Sequence, residues 1–463
     1  MTAGRPGEAP AACGRALDFA IVGSGPSGFY AAEALLRADP DCRIDMLERL
    51  PTPHGLVRGG VAPDHPKTKQ VAVAFDRIAK SPRFRFRGNV SVGTDVSVDE
   101  LLGLYDSVVL ACGAAHDVPL GIPGERLPGV VPAGEFVGWY NAHPDHSHRQ
   151  FDLDHETAVV IGHGNVAADI CRMLLTPVGN LARTDIPDYA LQALEGSRIR
   201  EVHLIGRRGP AQASFTNPEL RELGAIPDCD AMVDPSDLEL GPASRQEIGD
   251  PDNEVKARNV EIFARFASSS GSGRRRCRFR FHENPLRFEG SPRLERLVVE
   301  KGRLTGPPFR QRTVPTGSET AIPCGLAFHC IGFRAMPLPG VPFDEKLGVF
   351  CSSEGRVMRA GSPIHGLYAT GWSGRGASGV IGTNRAHSHA VVQSLLGDIE
   401  RSRRPGRPGA AGLDDLLVSR AVRWVDHDDW LTLDRTEVER GKTRGKSREK
   451  LRSVDQMLRM VGK

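Results

Sequence analysis

Residues 19–48 read FAIVGSGPSGFYAAEALLRADPDCRIDMLE, and this stretch decides the fold. Phe19-Ala20-Ile21-Val22 is a short apolar run suited to a strand buried on both faces. Gly23-Ser24-Gly25-Pro26-Ser27-Gly28 follows without a gap, and an alanine- and leucine-rich helical stretch runs from Phe29 to Ala38. Ile44 to Leu47 is a second strand candidate that ends in Glu48, twenty residues past Gly28. Strand, GxGxxG, helix, strand and terminal acid together form a dinucleotide-binding fingerprint. Gly23 allows the tight turn, Gly25 lets the backbone approach a pyrophosphate, and Gly28 lets helix and strand pack closely. The helix start offers free N–H groups and a positive dipole end to the phosphates. Glu48 can accept hydrogen bonds from both hydroxyls of an adenosine ribose.

A second fingerprint lies downstream. Thr157 to Ile161 is an apolar strand, Gly162-His163-Gly164-Asn165-Val166-Ala167 is a GxGxxA turn, and a helix runs on through Leu175. Alanine at the third position still allows close packing of helix on strand. Two fingerprints in one chain point to two bound dinucleotides. The strand Glu201 to Ile205 comes late, because residues 176–198 form an insertion. It is followed by Gly206-Arg207-Arg208-Gly209, with two arginines where an NAD site carries an acid. Guanidinium groups bind a 2′-phosphate with paired, charge-assisted hydrogen bonds, so this site prefers NADP. A third glycine-rich turn, Ser373 to Asn384, follows the strand-like Tyr368-Ala369-Thr370-Gly371-Trp372 and opens a helix through Leu396. Its free N–H groups suit the pyrimidine side of a flavin.

The stretches between read as follows. Residues 50–66 are rich in Pro and Gly and form a long irregular loop that leaves the Glu48 strand and reaches toward the nucleotide or flavin. Residues 67–80 read as an amphipathic helix, Phe84 to Val92 and Val96 to Val98 as strands, and Tyr105 to Ala114 as a buried strand closing on glycine. Residues 213–223 are a loop entering a helix that carries Glu219 and Glu222, three apart. Residues 230–276 are polar and low in pattern, and end in the basic run Arg274-Arg275-Arg276. Further strands are expected at Phe279 to Phe281, Leu297 to Val299 and Leu326 to Cys330. Residues 402–411 read as a linker, and 440–452, with seven positive charges and one negative, as a solvated tail.

The chain has 463 residues, 40% hydrophobic and 25% charged, which suits two or three globular domains. A net charge of +3 does not point to nucleic acid, and no apolar run is long enough to span a membrane. Residues 1–16 read as a flexible leader without a secretory apolar core. Nine cysteines are scattered singly with no CxxC pair. This argues against a zinc ribbon, a bound iron–sulfur cluster or a redox-active disulfide, no metal site is expected, and the pattern fits a reducing, cytoplasmic compartment.

The order and wording of six stretches resemble the adrenodoxin reductase-type ferredoxin–NADP reductases in their bacterial form. They are IVGSGPSGFYAAEAL, LPTPHGLVRGGVAPDHPKTK, FVGWYNAHP, VVIGHGNVAADICRMLL, LIGRRGPAQASFTNPELREL and YATGWSGRGASGVIGTN. The resemblance implies an α/β fold with two Rossmann-like, three-layer dinucleotide-binding domains of the glutathione reductase type. The FAD domain would comprise 17–116 and 332–463, with the NADP domain, 117–331, inserted. It places FAD on Ser27, Glu48, Leu56, Val92, Trp372, Gly379, Val380 and Ile381. It places NADP on His163, Gly164, Asn165, Val166, Arg207, Arg208, Glu219 and Gly379. His65 and Glu222 become the polar candidates beside the nicotinamide, and Arg274, Arg275 and Arg276 the docking site for an acidic ferredoxin. The implied reaction is hydride transfer from NADPH to FAD, then one-electron transfer to a ferredoxin-type iron–sulfur protein. The chain would work as a monomer or weak dimer. A quinone reductase or diaphorase, or an electron-feeding subunit of a larger complex, is the alternative. Two positions depart from the pattern: His54 stands where an aromatic is usual and His163 where an amide is.

Overall fold

The computed structural model describes residues 16–463, except 270, 272 and 402–405. The leader, apart from residue 16, and part of the 402–411 linker therefore lie outside the described residues. Two parallel sheets dominate. The first has seven strands and draws on both ends of the chain. Its parallel strands run, in spatial order, Ser362–Ala369, Ser107–Leu110, Asp18–Val22, Arg43–Glu48 and Phe84–Gly88. A short antiparallel extension, Ser352–Ser353 and Arg356–Arg359, completes it. The second sheet has six parallel strands, in the order Val130–Pro132, Leu326–His329, Thr157–Ile161, Glu201–Ile205, Arg275–Arg280 and Cys229–Val233. Both central strands are buried along almost their whole length, as their mainly apolar sequences require. An antiparallel meander, Glu283–Glu289, Arg296–Thr305 and Arg312–Pro323, packs against the second sheet. Between the sheets the chain crosses twice, and the crossings pair antiparallel, His116–Asp117 with Phe333–Arg334.

Helices cover the sheets. Pro26–Ala38 leaves the first glycine turn and Asn165–Leu175 the second. Several local expectations are corrected. The loop at 50–66 is not structureless, since Leu56–Gly59 forms one helical turn between Gly55 and Gly60. The helix expected at 67–80 divides into Pro66–Lys69 and Val71–Ala79. The strand beginning at Phe84 stops at Gly88, because Asn89 adopts φ of +59°. Val98 starts a helix, capped by a reciprocal Ser97–Glu100 box, instead of ending a strand. The low-pattern segment at 230–276 contains two helices, Pro242–Gly249 and Glu254–Ala267.

The largest correction concerns residues 440–452. They are not a solvated tail. The helix His427–Lys442 packs beside the loop at 50–66, and the segment after it lies in the seam between the sheets. Glu437, fully buried, accepts two hydrogen bonds from Arg58 at 2.6 and 2.8 Å and one from Arg448 at 2.9 Å. Lys446 and Lys450 are also buried. Lys446 pairs with Asp188 and Glu449, and Lys450 with Asp185 at 3.1 Å. Lys69 reaches the same Asp185 carboxylate at 2.7 Å. One strap thus ties the loop at 50–66, the 176–198 insertion and the C-terminal helices together through buried charge.

Burial alone would raise the Asp185 carboxyl, but Lys450 and Lys69 more than reverse this and hold it below the usual carboxylate range. A carboxylate depressed in the folded state contributes stability above its unfolded pKa of about 3.9, and that contribution is lost as the pH falls. Asp185→Asn is expected to lower the apparent Tm at pH 7, by a cost on the order of 3 kcal/mol for orphaning buried lysines. The gap to the parent should narrow below about pH 4, read by thermal unfolding across pH. A gap that stays constant with pH would contradict this.

Candidate functional site

The first glycine turn separates what the protein needs from what a guest needs. Gly23 has φ of +105°, and a Cβ there would stand 2.4 Å from the Ala111 carbonyl oxygen. A Cβ on Gly28 would stand 2.1 Å from the Gly23 oxygen, so this residue is small because helix and strand touch there. Gly25 differs. Its φ is −75°, and nothing lies within 4 Å of where its Cβ would be. Neither backbone strain nor internal packing requires glycine at that position; close approach by a ligand does. The second turn repeats the arrangement. Gly162 has φ of +139° with Cys330 O 2.5 Å from its missing Cβ, whereas Gly164 faces open space. Both turns therefore fit a pyrophosphate.

Glu48 is fixed beside the first turn. Its Oε2 accepts from the Ser24 amide at 3.1 Å and the Ser24 hydroxyl at 2.7 Å, and its Oε1 from the Leu50 amide at 3.1 Å. Lone pairs remain for a ribose. The loop at 50–66 folds back over the turn: the His54 amide donates to Ser24 O, and a Cβ on Gly55 would stand 2.8 Å from Gly25 Cα. This brings the exposed Leu56 side chain to the site. The third glycine segment arrives from far along the chain. Gly371, with φ of +67°, has room for no Cβ because Ser27 Oγ lies 2.1 Å from that point, and Ser388 donates to Ser27 O at 3.0 Å. Trp372 donates from Nε1 to Ser378 O at 3.0 Å and stacks on Phe333. Gly379 and Val380 are exposed, and Ile381 opens the helix Ile381–Arg401. Val92 is partly buried, packed against the cluster of Val22, Leu47, Val90 and Leu110. The structure therefore gathers Ser27, Glu48, Leu56 and Trp372 around one turn. His54 replaces an aromatic without leaving an aromatic setting: its ring lies 5.6 Å from Phe29 and 5.7 Å from Trp430.

At the second turn Asn165 accepts the Thr216 amide at 2.9 Å. The His163 ring points inward, bonds Leu204 O at 2.9 Å and packs against Phe281. Desolvation pushes its pKa down to about 4, with a smaller opposing effect from Leu204, so the ring is neutral at pH 7. Any nucleotide contact at this position comes from its backbone. Arg207 and Arg208 are exposed just past the strand Glu201–Ile205. Arg274, Arg275 and Arg276 stand elsewhere. They start the strand Arg275–Arg280, at the end of the parallel sheet opposite the glycine turn, so the structure does not bring them to the site.

His65 and Glu222 do meet. His65 Nε2 lies 2.7 Å from Glu222 Oε2, and Nδ1 lies 3.5 Å from Glu219 Oε1. They sit on a cluster that the sequence reading missed. Arg172, 3% exposed, reaches Glu219 at 2.6 Å, Asp169 at 2.5 Å, Asp64 at 2.9 Å and Glu222 at 3.7 Å. Asp64 and His65 come from the loop at 50–66, the others from the second unit. Burial pushes the Asp169 carboxyl up to about 7 even against its arginine neighbour. His65, Asp169 and Glu219 offer atoms within 4.8 Å of one another, a spacing a metal could use. The Arg172 guanidinium already supplies the positive charge there. The sequence did carry a signal: Ala168, Cys171, Arg172 and Leu175 share the buried face of one helix, and an arginine on such a face needs carboxylates.

Comparison with known proteins agrees with this geometry. The family model described as pyridine nucleotide-disulphide oxidoreductase matches residues 17–222. NADPH:adrenodoxin oxidoreductase, mitochondrial, of Homo sapiens is 44% identical over 458 residues, covering 96% of this chain and 91% of the relative. The chain belongs to the adrenodoxin reductase-type ferredoxin–NADP reductases. Within this family, NADPH-ferredoxin reductase FprA of Mycobacterium tuberculosis is 41% identical over 95% of this chain and 98% of its own length. The solved structure of FprA in complex with NADPH superposes with a TM-score of 0.91, covering 96% of this chain and all of that one. Among the described residues no helix is long and apolar enough to cross a membrane.

The contrast between glycines is testable. Gly25→Ala is expected to fold with native circular dichroism but to purify with a sharply reduced ratio of flavin to protein absorbance. Gly28→Ala, forced against Gly23 O, is expected to lose Tm as well. Full flavin content in folded Gly25→Ala would remove the ligand explanation for this glycine.

Proposed function

We propose that this protein is an NADPH-dependent ferredoxin reductase, and that the two open glycine cradles in one chain, with Arg207 and Arg208 beside the second, carry that reading. FAD, held in the first cradle, would supply the two-electron to one-electron redox chemistry, with NADPH as the hydride donor and an iron–sulfur protein as the acceptor. The chain's own residues bind and orient. Glu48 holds the ribose of FAD, and the Gly25 turn receives its pyrophosphate. Leu56, Trp372 and the turn Gly379-Val380-Ile381 enclose the other end of the cofactor. The Gly164 turn, with Asn165, Val166 and the His163 backbone, receives the NADP pyrophosphate. His65 and Glu222 hold a proton between Nε2 and Oε2 at the nicotinamide edge, and Arg172 fixes their positions. We take the FAD unit as 17–116 with 332–463 and the NADP unit as 117–331, joined at the paired crossings.

The acceptor is a small ferredoxin-type iron–sulfur protein bound transiently, as the names of the relatives from human and Mycobacterium tuberculosis suggest. The eight described cysteines are all free, which agrees with a reducing, cytoplasmic setting. Purified protein should carry a flavin spectrum that bleaches on NADPH titration. Cytochrome c reduction should then rise with added ferredoxin; a rate indifferent to ferredoxin would refute the acceptor and leave a diaphorase. Replacing Arg207 and Arg208 by glutamine is expected to raise the KM for NADPH by about 10- to 100-fold, the loss of a charge-assisted phosphate contact. The KM for NADH should move far less, and equal effects on both cofactors would sink the NADP assignment.

A further inference from the structure

We propose that Arg312 is a third ligand of the 2′-phosphate of NADPH, reaching it from the antiparallel meander. The proposal deepens the NADP reading above and rests on it. A cleft of about 360 Å³ opens beside the Gly206–Gly209 loop, between that loop and the strand Arg312–Pro323. Arg207, Arg208, Arg312, Thr313, Asn284 and Glu300 line it. Many described arginines pair with a carboxylate, and the buried Arg172 is shared among four. The three arginines at this cleft are exposed, and among the described residues none of them forms an ion pair. Three like charges around one recess repel one another until an anion enters.

The placement of Arg312 is fixed on both sides. Thr313 donates from Oγ1 to Arg207 O at 2.7 Å, which locks the strand to the arginine loop. Gln311 donates from Nε2 to Glu247 Oε1 at 2.8 Å and to Ser244 Oγ at 3.0 Å. Glu247 is almost fully buried and also accepts Gln212 Nε2 at 2.8 Å and the Phe309 amide at 2.7 Å. A buried carboxylate with three donors is a rigid anchor, so the residue between Gln311 and Thr313 is held at the mouth of the cleft. Glu300, the acid in the lining, accepts the Gly317 amide at 2.9 Å and pairs with no arginine among the described residues. A phosphate monoester near neutral pH carries roughly −1.5 to −2 charges and three acceptor oxygens. Two adjacent arginines at a strand end approach it from one side, and Arg312 supplies donors from the other.

The test compares 2′,5′-ADP with 5′-ADP, whose structures differ by this one phosphate, using calorimetry on the FAD-containing full-length protein. Arg312→Gln is expected to cut the preference for 2′,5′-ADP by about 5- to 20-fold, as loss of one exposed charge-assisted contact implies. Arg312→Lys, which keeps charge but not the forked geometry, is expected to fall between. Flavin absorbance and Tm report whether each variant is folded, and the milder lysine variant carries the test if the glutamine variant is not. The paired Arg207→Gln/Arg208→Gln variant separates the two levels of the argument. If it loses the preference while both Arg312 variants keep the parent value, Arg312 is not a ligand and the proposal falls alone. If every variant keeps the parent preference, the NADP site itself is misassigned and both fall.

Discussion

Buried charge at the seam fixes how the two sheets face one another. Asp185 sits between Lys69 and Lys450, and Arg172 among Asp64, Asp169 and Glu219; Glu437, between Arg58 and Arg448, braces the loop at 50–66 from one side of the seam. Each cluster joins segments that are remote in sequence. An apolar seam tolerates sliding, because one hydrophobic contact resembles the next. An ionic seam does not, because each displaced carboxylate leaves an uncompensated charge out of water. Net stabilisation from such groups is small, but their geometric specificity is high. The cofactor turns borrow that specificity: the loop at 50–66 carries Leu56, Arg58, Asp64 and His65, and the same ionic contacts hold it.

The two glycine turns solve one problem twice with one difference. Each uses a first glycine with positive φ, an unobstructed second position and a small third residue against the strand. They diverge at the end of the following strand. Glu48 is held by Ser24 and Leu50, and its negative charge suits ribose hydroxyls. Arg207 and Arg208, which form no ion pair among the described residues, stand at the corresponding place and suit a phosphate. A difference of charge at one position in each repeat thus assigns different cofactors to two turns of nearly the same shape.

The turns, the strands leading into them, and the Glu48 and Arg207–Arg208 contrast were legible in the sequence because each depends on a short local stretch, 19–48 in the first case and 157–208 in the second. The meeting of His65 with Glu222 was reachable only through family resemblance, since 157 positions separate them. The strap at 440–452 was misread for a physical reason. Arg, Lys and Glu look the same in sequence whether water or a distant carboxylate satisfies them, and here Asp185 and Asp188 lie more than 250 residues away. Short elements failed differently. The turn Leu56–Gly59 is too brief to show a period, and the end of the Phe84 strand turns on the single backbone angle of Asn89. The inward orientation of His163 depends on a pocket of phenylalanines, Phe215, Phe279 and Phe281, contributed by segments more than fifty residues further along the chain.

The paired crossings decide how the two units are joined. His116–Asp117 and Phe333–Arg334 lie side by side, so the chain leaves the first unit and returns to it at neighbouring points, about 5 Å apart. Everything between them is, topologically, a long loop on a closed hairpin stem. Such a stem accepts a different cargo without stretching the sheet beneath it, as a socket accepts different tools. The lysines of the strap add a second hold, because Lys446 and Lys450 reach across the stem and grip the inserted module at Asp188 and Asp185.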